Sequence, residues 1–236
     1  MIRFPFILFV LLAVFLTRTA SPALAQAAPD CAGNADPCSN CNNLTNANYS
    51  GTCTTGADAY SFTMKEMRLR KTDGTFVSIV SSDMTFDAAS VSAGAQMGAY
   101  VSGAPVPPAS YDAMSPTLGK DWSFSGSTTG GAAGSCASTA GGFSVNTGDQ
   151  ATRVVDLAAF FLANPGSVPS DMTVTADGMT IIDASSGLQV TVNNGQSLAI
   201  NIQFDTGTGT QFTYVNGTCQ DASMGALGVT VTLTTN

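Results

Sequence analysis

Six cysteines and no histidine define the chemistry open to this 236-residue chain. Without imidazole there is no Ser-His-Asp or Cys-His nucleophile pair and no histidine-liganded zinc. Cys31, Cys38, Cys41 and Cys53 crowd into a polar stretch rich in Asn, Gly and Thr, while Cys136 and Cys219 stand far apart. An even count suits a disulfide framework. The economical pairing is Cys136 with Cys219 and two bridges among the N-terminal four, although spacing alone does not select it. Cys38-Ser-Asn-Cys41 has three readings: a redox pair, half a zinc site, or structural disulfides. A redox pair sits at a helix start after a strand, where the dipole lowers the thiol pKa. Here Pro37 and Asn-rich coil surround it, and a zinc site lacks its second C-x-x-C. Structural bridges made in an oxidising compartment are the expectation.

The charged residues offer less. Glu66 is the lone Glu, and a glycosidase needs two carboxylates across a cleft. Nothing in the sequence brings an Asp to it. Asp205-Thr206-Gly207-Thr208-Gly209-Thr210 carries carboxylate and carbonyl oxygens of the kind Ca²⁺ takes, with Asp221 the nearest further acid. It reads first as a plain hairpin loop. Lys65, Arg68, Arg70 and Lys71 gather on one segment, where they could dock an acidic neighbouring copy or an anionic polysaccharide. The competing reading is an edge strand charged against aggregation. Trp122, with Tyr100 and Tyr111, could form a platform for stacking on sugars, or serve as core. No catalytic residue, metal or cofactor is expected.

Residues 1–25 have the parts of a secretory signal: Arg3, an apolar run from Phe6 to Leu16, and a small-residue cleavage site at Ala23-Leu24-Ala25. The run is too short to span a bilayer. Removing Arg3 and Arg18 with this leader takes the formal net charge from −8 to −10. Such an acidic product disfavours nucleic acid and anionic membrane surfaces as partners. A soluble exported protein is expected, at the cell surface, in the medium or in the periplasm.

The elements that must hold these residues are strands. Residues 26–58 have few large apolar side chains and read as a Cys-rich N-terminal arm that needs its bridges for order. The Asn-x-Ser/Thr triplets at Asn43, Asn48 and Asn216 read as chance in an Asn/Thr-rich chain. From Tyr60 the apolar period is two, with a slip at Glu66 that predicts a β-bulge. Asp73-Gly74, Asp177-Gly178, Asn194-Gly195 and Asn216-Gly217 separate alternating runs as hairpin turns do. Pro105, Pro107 and Pro108 mark a sheet crossing or an edge. Residues 126–142 are small and polar around Cys136, and read as a flexible surface loop. Thr152–Asn164 is either the one helix, capped by Asp149 and ended by Asn164-Pro165-Gly166, or a buried strand. Leu198, Ile200, Ile202 and Phe204 form the clearest strand, and Val229, Val231 and Leu233 another. The fold class expected is all-β: an antiparallel β-sandwich over residues 59–236, a disulfide-stapled arm, and at most one short helix.

Phe86-Asp87-Ala88-Ala89-Ser90, Gly98-Ala99-Tyr100 and Val106-Pro107-Pro108-Ala109-Ser110-Tyr111 together resemble a pattern in exported bacterial β-sandwich domains of the prealbumin-like type. There a Leu-Pro-x-Gly-x-Tyr corner leads into a core strand. Ala109 stands where that corner glycine is usual. The resemblance spans about half of residues 26–236 and implies a fold rather than an activity. The functional expectation is a non-enzymatic structural or surface protein, such as a filament subunit or an adhesin-like module. Its partners would be copies of itself or other surface components. The alternative is a polysaccharide-binding module.

Overall fold

The computed structural model describes residues 40–87, 96–182, 189–225 and 228–235. The expected leader, Cys31 and Cys38 lie outside the described residues, as do Ala88, Ala89 and Ser90 of the resemblance. Along the chain the strands are β1 (Gly51–Thr55), β2 (Ala59–Lys71), β3 (Phe76–Val80), β4 (Met84–Asp87), β5 (Gln96–Pro105) and β6 (Ala109–Ser125). Then come β7 (Ser127–Thr128), β8 (Cys136–Thr139), β9 (Gly142–Ser144), β10 (Arg153–Asp156) and the helix α1 (Leu157–Ala163). The last third holds β11 (Met172–Thr175), β12 (Gly178–Ile181), β13 (Val190–Val192), β14 (Ser197–Asp205), β15 (Thr210–Val215), β16 (Thr218–Met224) and β17 (Gly228–Thr235).

The fold is an all-β sandwich. Its larger layer is an eight-stranded sheet built on β2 and β6, which pair antiparallel from Ala59 opposite Ser125 to Lys71 opposite Tyr111. β3 and β4 flank β2, β10, β12 and β13 flank β6, and β11 lies outside β12. The second layer is the three-stranded sheet β17-β14-β5. β14 supplies its inner face by strict alternation: Leu198, Ile200, Ile202 and Phe204 are buried, while Ser197, Ala199, Asn201 and Gln203 are only half-buried. Between the layers Phe62 stacks on Trp122 at 4.6 Å and on Phe86 at 5.4 Å. Phe204, from the opposite sheet, meets Phe62 and Phe86 edge-on at 5.4 and 5.8 Å. Burying each ring stabilises by roughly 1.5–3 kcal/mol, and each well-oriented aromatic pair adds about 0.5–1.5 kcal/mol.

The bulge lies where the apolar phase slips. Met64 pairs with Leu118 and Glu66 with Thr117, so β2 spends two residues where β6 spends one. Met67 and Leu69 thereby return to the core, and Glu66, Arg68 and Arg70 fall on the outside. The prolines do mark a crossing. The chain leaves β5 in one layer and enters β6 in the other through Val106-Pro107-Pro108, and Tyr111 locks the corner by donating its hydroxyl to the Pro107 carbonyl at 2.6 Å. Of the hairpin dipeptides, Asn216-Gly217 has both φ values positive (49° and 73°) and makes a true I′ turn. At Asp73-Gly74 and Asn194-Gly195 only the glycine does, at 86° and 82°.

Two expectations need correction. The segment 152–164 is neither all helix nor all strand. Arg153–Asp156 pairs with Phe124–Asp121 on β6, and the helix starts only at Leu157. Its cap is Asp156, whose carboxylate accepts the Ala159 amide at 2.7 Å, and not Asp149, which accepts from the Ser144 hydroxyl. Leu157, Ala158 and Phe161 turn inward, and Asn164 ends the helix. Residues 126–142 are not the flexible surface loop expected from their composition. They form β7, β8, the start of β9 and a 3-10 turn, with Cys136, Ala137 and Ser138 buried. The small residues there permit close packing. A Cβ on Gly130 would collide with the Gly134 carbonyl, and one on Gly131 with the Leu44 carbonyl.

This hairpin belongs to a second, smaller core. The sheet β1-β15-β16 and the sheet β7-β8-β9 enclose Leu44, Tyr49, Ala133, Phe212, Tyr214 and Ala222 with two cystines. Cys41 is bonded to Cys53 and Cys136 to Cys219. The Cys136–Cys219 pairing is as expected, and Cys41–Cys53 is one bridge within the N-terminal group. Asn42 Oδ1 gathers three donors, Thr128 Oγ1 and the amide and hydroxyl of Thr129, tying the N-terminal segment to the glycine-rich hairpin.

Candidate functional site

The outer face of the eight-stranded sheet holds most of the residues singled out for binding. β2 and β6 present it, and their inner residues anchor it, so its side chains are fixed by the core beneath. Arg70 Nε donates to Asp112 Oδ1 at 2.8 Å across the β2–β6 pair. That hydrogen bond holds the Arg70 guanidinium above its ordinary pKa. Arg68 Nη2 donates to Ser115 Oγ at 3.2 Å, its Nε lies 3.6 Å from Glu66, and its guanidinium sits 5.0 Å from the centre of the Phe76 ring. Lys65 Nζ donates to the Asp177 carbonyl at 3.1 Å, at the turn between β11 and β12. Lys71 enters the turn to β3, where hydrogen bonds from the Thr75 hydroxyl and amide, and to a lesser degree the Lys71 charge, lower the Asp73 pKa.

The four basic residues therefore do not converge. Lys65 reaches towards one side of β2, and Arg70 is neutralised by a carboxylate. Nor is their strand an edge: β2 lies between β6 and the β3/β4 pair. Its charges do not guard an open edge.

Trp122 requires a correction as a partner-binding residue. It is 4% exposed, stacked on Phe62, with its indole N–H donated to the Gly119 carbonyl at 3.0 Å. Tyr111 is 1% exposed and held at the corner. Neither presents a ring for a sugar to stack on, and the side chain of Tyr100 lies outside the described residues. Asp205 and Asp221 do not form a joint site either. Asp205 accepts the Gly207 amide of its own loop at 2.9 Å, and Asp221 is paired with Arg153 at 3.1 Å. Among the described residues no group of three or more His, Cys, Asp or Glu is placed to hold a metal ion. Cys41 is spent on Cys53, so Cys38-Ser-Asn-Cys41 is not a bonded pair.

What the sequence did not single out is the hydroxyl pairing over the same face. Ser61 and Ser123 meet at 2.7 Å, Ser110 and Thr191 at 3.0 Å, Thr117 and Thr180 at 3.1 Å, and Thr63 and Thr85 at 3.3 Å. Thr173 stands opposite Thr180 in register. Each hydroxyl has one proton and two lone pairs, so a paired row keeps acceptor capacity for a polyol or water. The Ser/Thr period was visible in the sequence, but the cross-strand partners were not, because they follow from a register between segments up to 81 residues apart.

The charges are unevenly shared between the layers. β2, β6 and their neighbours carry nearly all of those on strands, whereas β5, β14 and β17 together carry one, Asp205. Among the described residues no helix is long and apolar enough to cross a membrane. The two cystines point to an oxidising, exported environment. No protein-family model matches the chain, and neither do any curated protein or solved structure.

Proposed function

We propose that this chain is an exported, non-enzymatic structural protein of the cell surface or extracellular space, working as a filament subunit or an adhesin-like module. One observation carries the reading: the second layer of the sandwich, β17-β14-β5, is almost free of charge and has no further strand paired at either edge among the described residues. Net charge keeps copies of an acidic protein apart. A neutral sheet with open edges is the region where copies can approach and extend a β-ladder. The cystine-bound second core suits such service, because it ties the N-terminal segment to strands far along the chain without relying on a large apolar interior.

Electron microscopy and light scattering of the secreted, oxidised protein test this. Polymers or discrete assemblies are expected, and monodisperse monomers across concentration, salt and pH overturn it. The hydroxyl rows favour a second reading, a polysaccharide-binding face. A glycan array compared with the Thr117→Val variant tests that reading, and binding to no glycan removes it.

A further inference from the structure

The two edges of the neutral sheet differ. β5 pairs with β14 through three register shifts, between Leu198 and Ile200, Ile200 and Asn201, and Asn201 and Gln203, and its last residue is Pro105. Bulges twist an edge strand away from a flat ladder, and proline cannot donate to one. β17 is the opposite. It pairs with β14 over eight consecutive positions, from Gly228 opposite Asp205 to Thr235 opposite Leu198, without a shift. Its sequence, Gly-Val-Thr-Val-Thr-Leu-Thr-Thr, is β-branched in six of eight places and has no proline and no charge. Alternate residues of an antiparallel edge direct N–H and C=O away from the neighbouring strand. Among the described residues, β17 pairs with β14 alone.

We propose that β17 is a dimerisation edge: a second copy of this chain adds its own β17 antiparallel about a two-fold axis, joining two three-stranded sheets into one of six. The occupant follows from three features. An uncharged strand suits a like-charged copy because nothing on it repels its own image. The strand is regular enough for a full ladder. The bulged, proline-ended β5 disfavours the head-to-tail β17-to-β5 contact that would grow an open fibre, which leaves the closed, isologous contact. The inference rests on the structural-subunit reading and narrows it: the building unit is a symmetric dimer, and any longer assembly uses another surface.

In a two-fold pairing the middle of the strand faces itself. Thr232, opposite Asn201 in register, lies next to that middle. Thr232→Lys and Thr232→Asp each place like charges close together across the axis, which disfavours pairing, whereas a mixture places opposite charges there. Light scattering after size exclusion of the oxidised protein is expected to give twice the monomer mass for the wild type at micromolar concentration and monomers for each variant. The equimolar mixture should give a dimer again. Amide exchange on the wild type needs no variant: half the β17 amides should gain protection as concentration rises. A monomeric wild type, or β17 amides equally protected at all concentrations, overturns the proposal and means that another segment or nothing covers the edge. Polymers that persist unchanged in both variants also overturn it while leaving the structural reading standing. A dimer that passes the charge-swap test but never polymerises upholds the edge and removes the filament.

Discussion

Removing the Cys136–Cys219 bridge should separate the two cores of this protein in a denaturation experiment. The bridge closes a loop with a sequence separation of 83. In the chain-entropy account the loss is 2.1 + 1.5R ln n in entropy units, which for this loop gives about 4.5 kcal/mol at 25 °C. For a chain of this size that corresponds to a fall in Tm of about 9–18 °C. The cost is not spread evenly. Cys136 and Cys219 are 0% and 2% exposed inside the small core, where they join β8 to β16. Without the bond these strands have no covalent tie, and the small core should open before the sandwich does.

The chain reports this by itself. Its single tryptophan, Trp122, lies in the main core, whereas Tyr49 and Tyr214 pack edge-on at 6.2 Å in the small one. In Cys136→Ala/Cys219→Ala, urea should remove the Tyr49 and Tyr214 share of the tyrosine near-ultraviolet signal at a lower midpoint than Trp122 emission, while the share of Tyr60 and Tyr111 in the main core falls with the tryptophan. Limited proteolysis should cut between 126 and 150 while the sandwich survives. The oxidised wild type should show coincident transitions. The reasoning is refuted if the variant also loses both signals in one coincident step, or if its midpoint matches that of the wild type.

Four further outcomes are expected. Trp122→Ala should cost about 3–5 kcal/mol in equilibrium unfolding, because it removes a stacked, 4% exposed indole from between Phe62 and Tyr60; an effect below about 1 kcal/mol would mean the ring is not packed as described. Gly217→Ala should destabilise the small core by more than about 1 kcal/mol, since φ is +73° there and a Cβ would strike the Ala47 carbonyl; unchanged denaturation of that variant would contradict the turn geometry. Burial pushes the Tyr214 phenol up to about 12, so its contribution is intact below its ordinary pKa near 10 and is lost as pH rises towards 12; Tyr214→Phe should flatten that alkaline decline in a pH series of unfolding midpoints. Asp73 is held below the usual carboxylate range by the Thr75 hydroxyl and amide, so the turn it braces is stable above that range and weakens as pH falls through it; Asp73→Asn should remove that acid dependence from amide exchange of the β2–β3 hairpin.

The parts of this fold legible in the sequence are those fixed by period and punctuation. The inner face of β14, the bulge beside Glu66 and the crossing at Pro107-Pro108 each follow from residues adjacent in the chain. The missed parts depend on distant partners. Residues 126–142 look unstructured because their burial comes from Leu44, Tyr214 and Cys219, which pack around small residues that bring little apolar area of their own. Trp122 and the β2 cations look available for binding because sequence gives side-chain type without neighbours. The core claims the indole, and Asp112, Ser115 and Asp177 occupy three of the cations.

The same logic explains why composition disguises the division of labour between the layers. Charged residues are only 10% of the chain, and its hydrophobic fraction is 44%, so a reader of totals sees an evenly weak polarity. Register concentrates it. Arg70–Asp112, Arg68–Glu66 and Lys120–Asp156 all lie on or beside β2 and β6. Exposed pairs like these stabilise little, typically under about 1 kcal/mol each. Their collective effect is to make that layer a poor site for self-association, since any copy approaching it must displace charges already paired and hydrated. The other sheet, in which β5, β14 and β17 have Asp205 as their one charged residue, carries little such penalty. A protein whose paired charges close one face and whose second sheet is neutral has its contact direction set by the alternation of a few strands, which is why the oligomeric state is the measurement most informative about what this chain does.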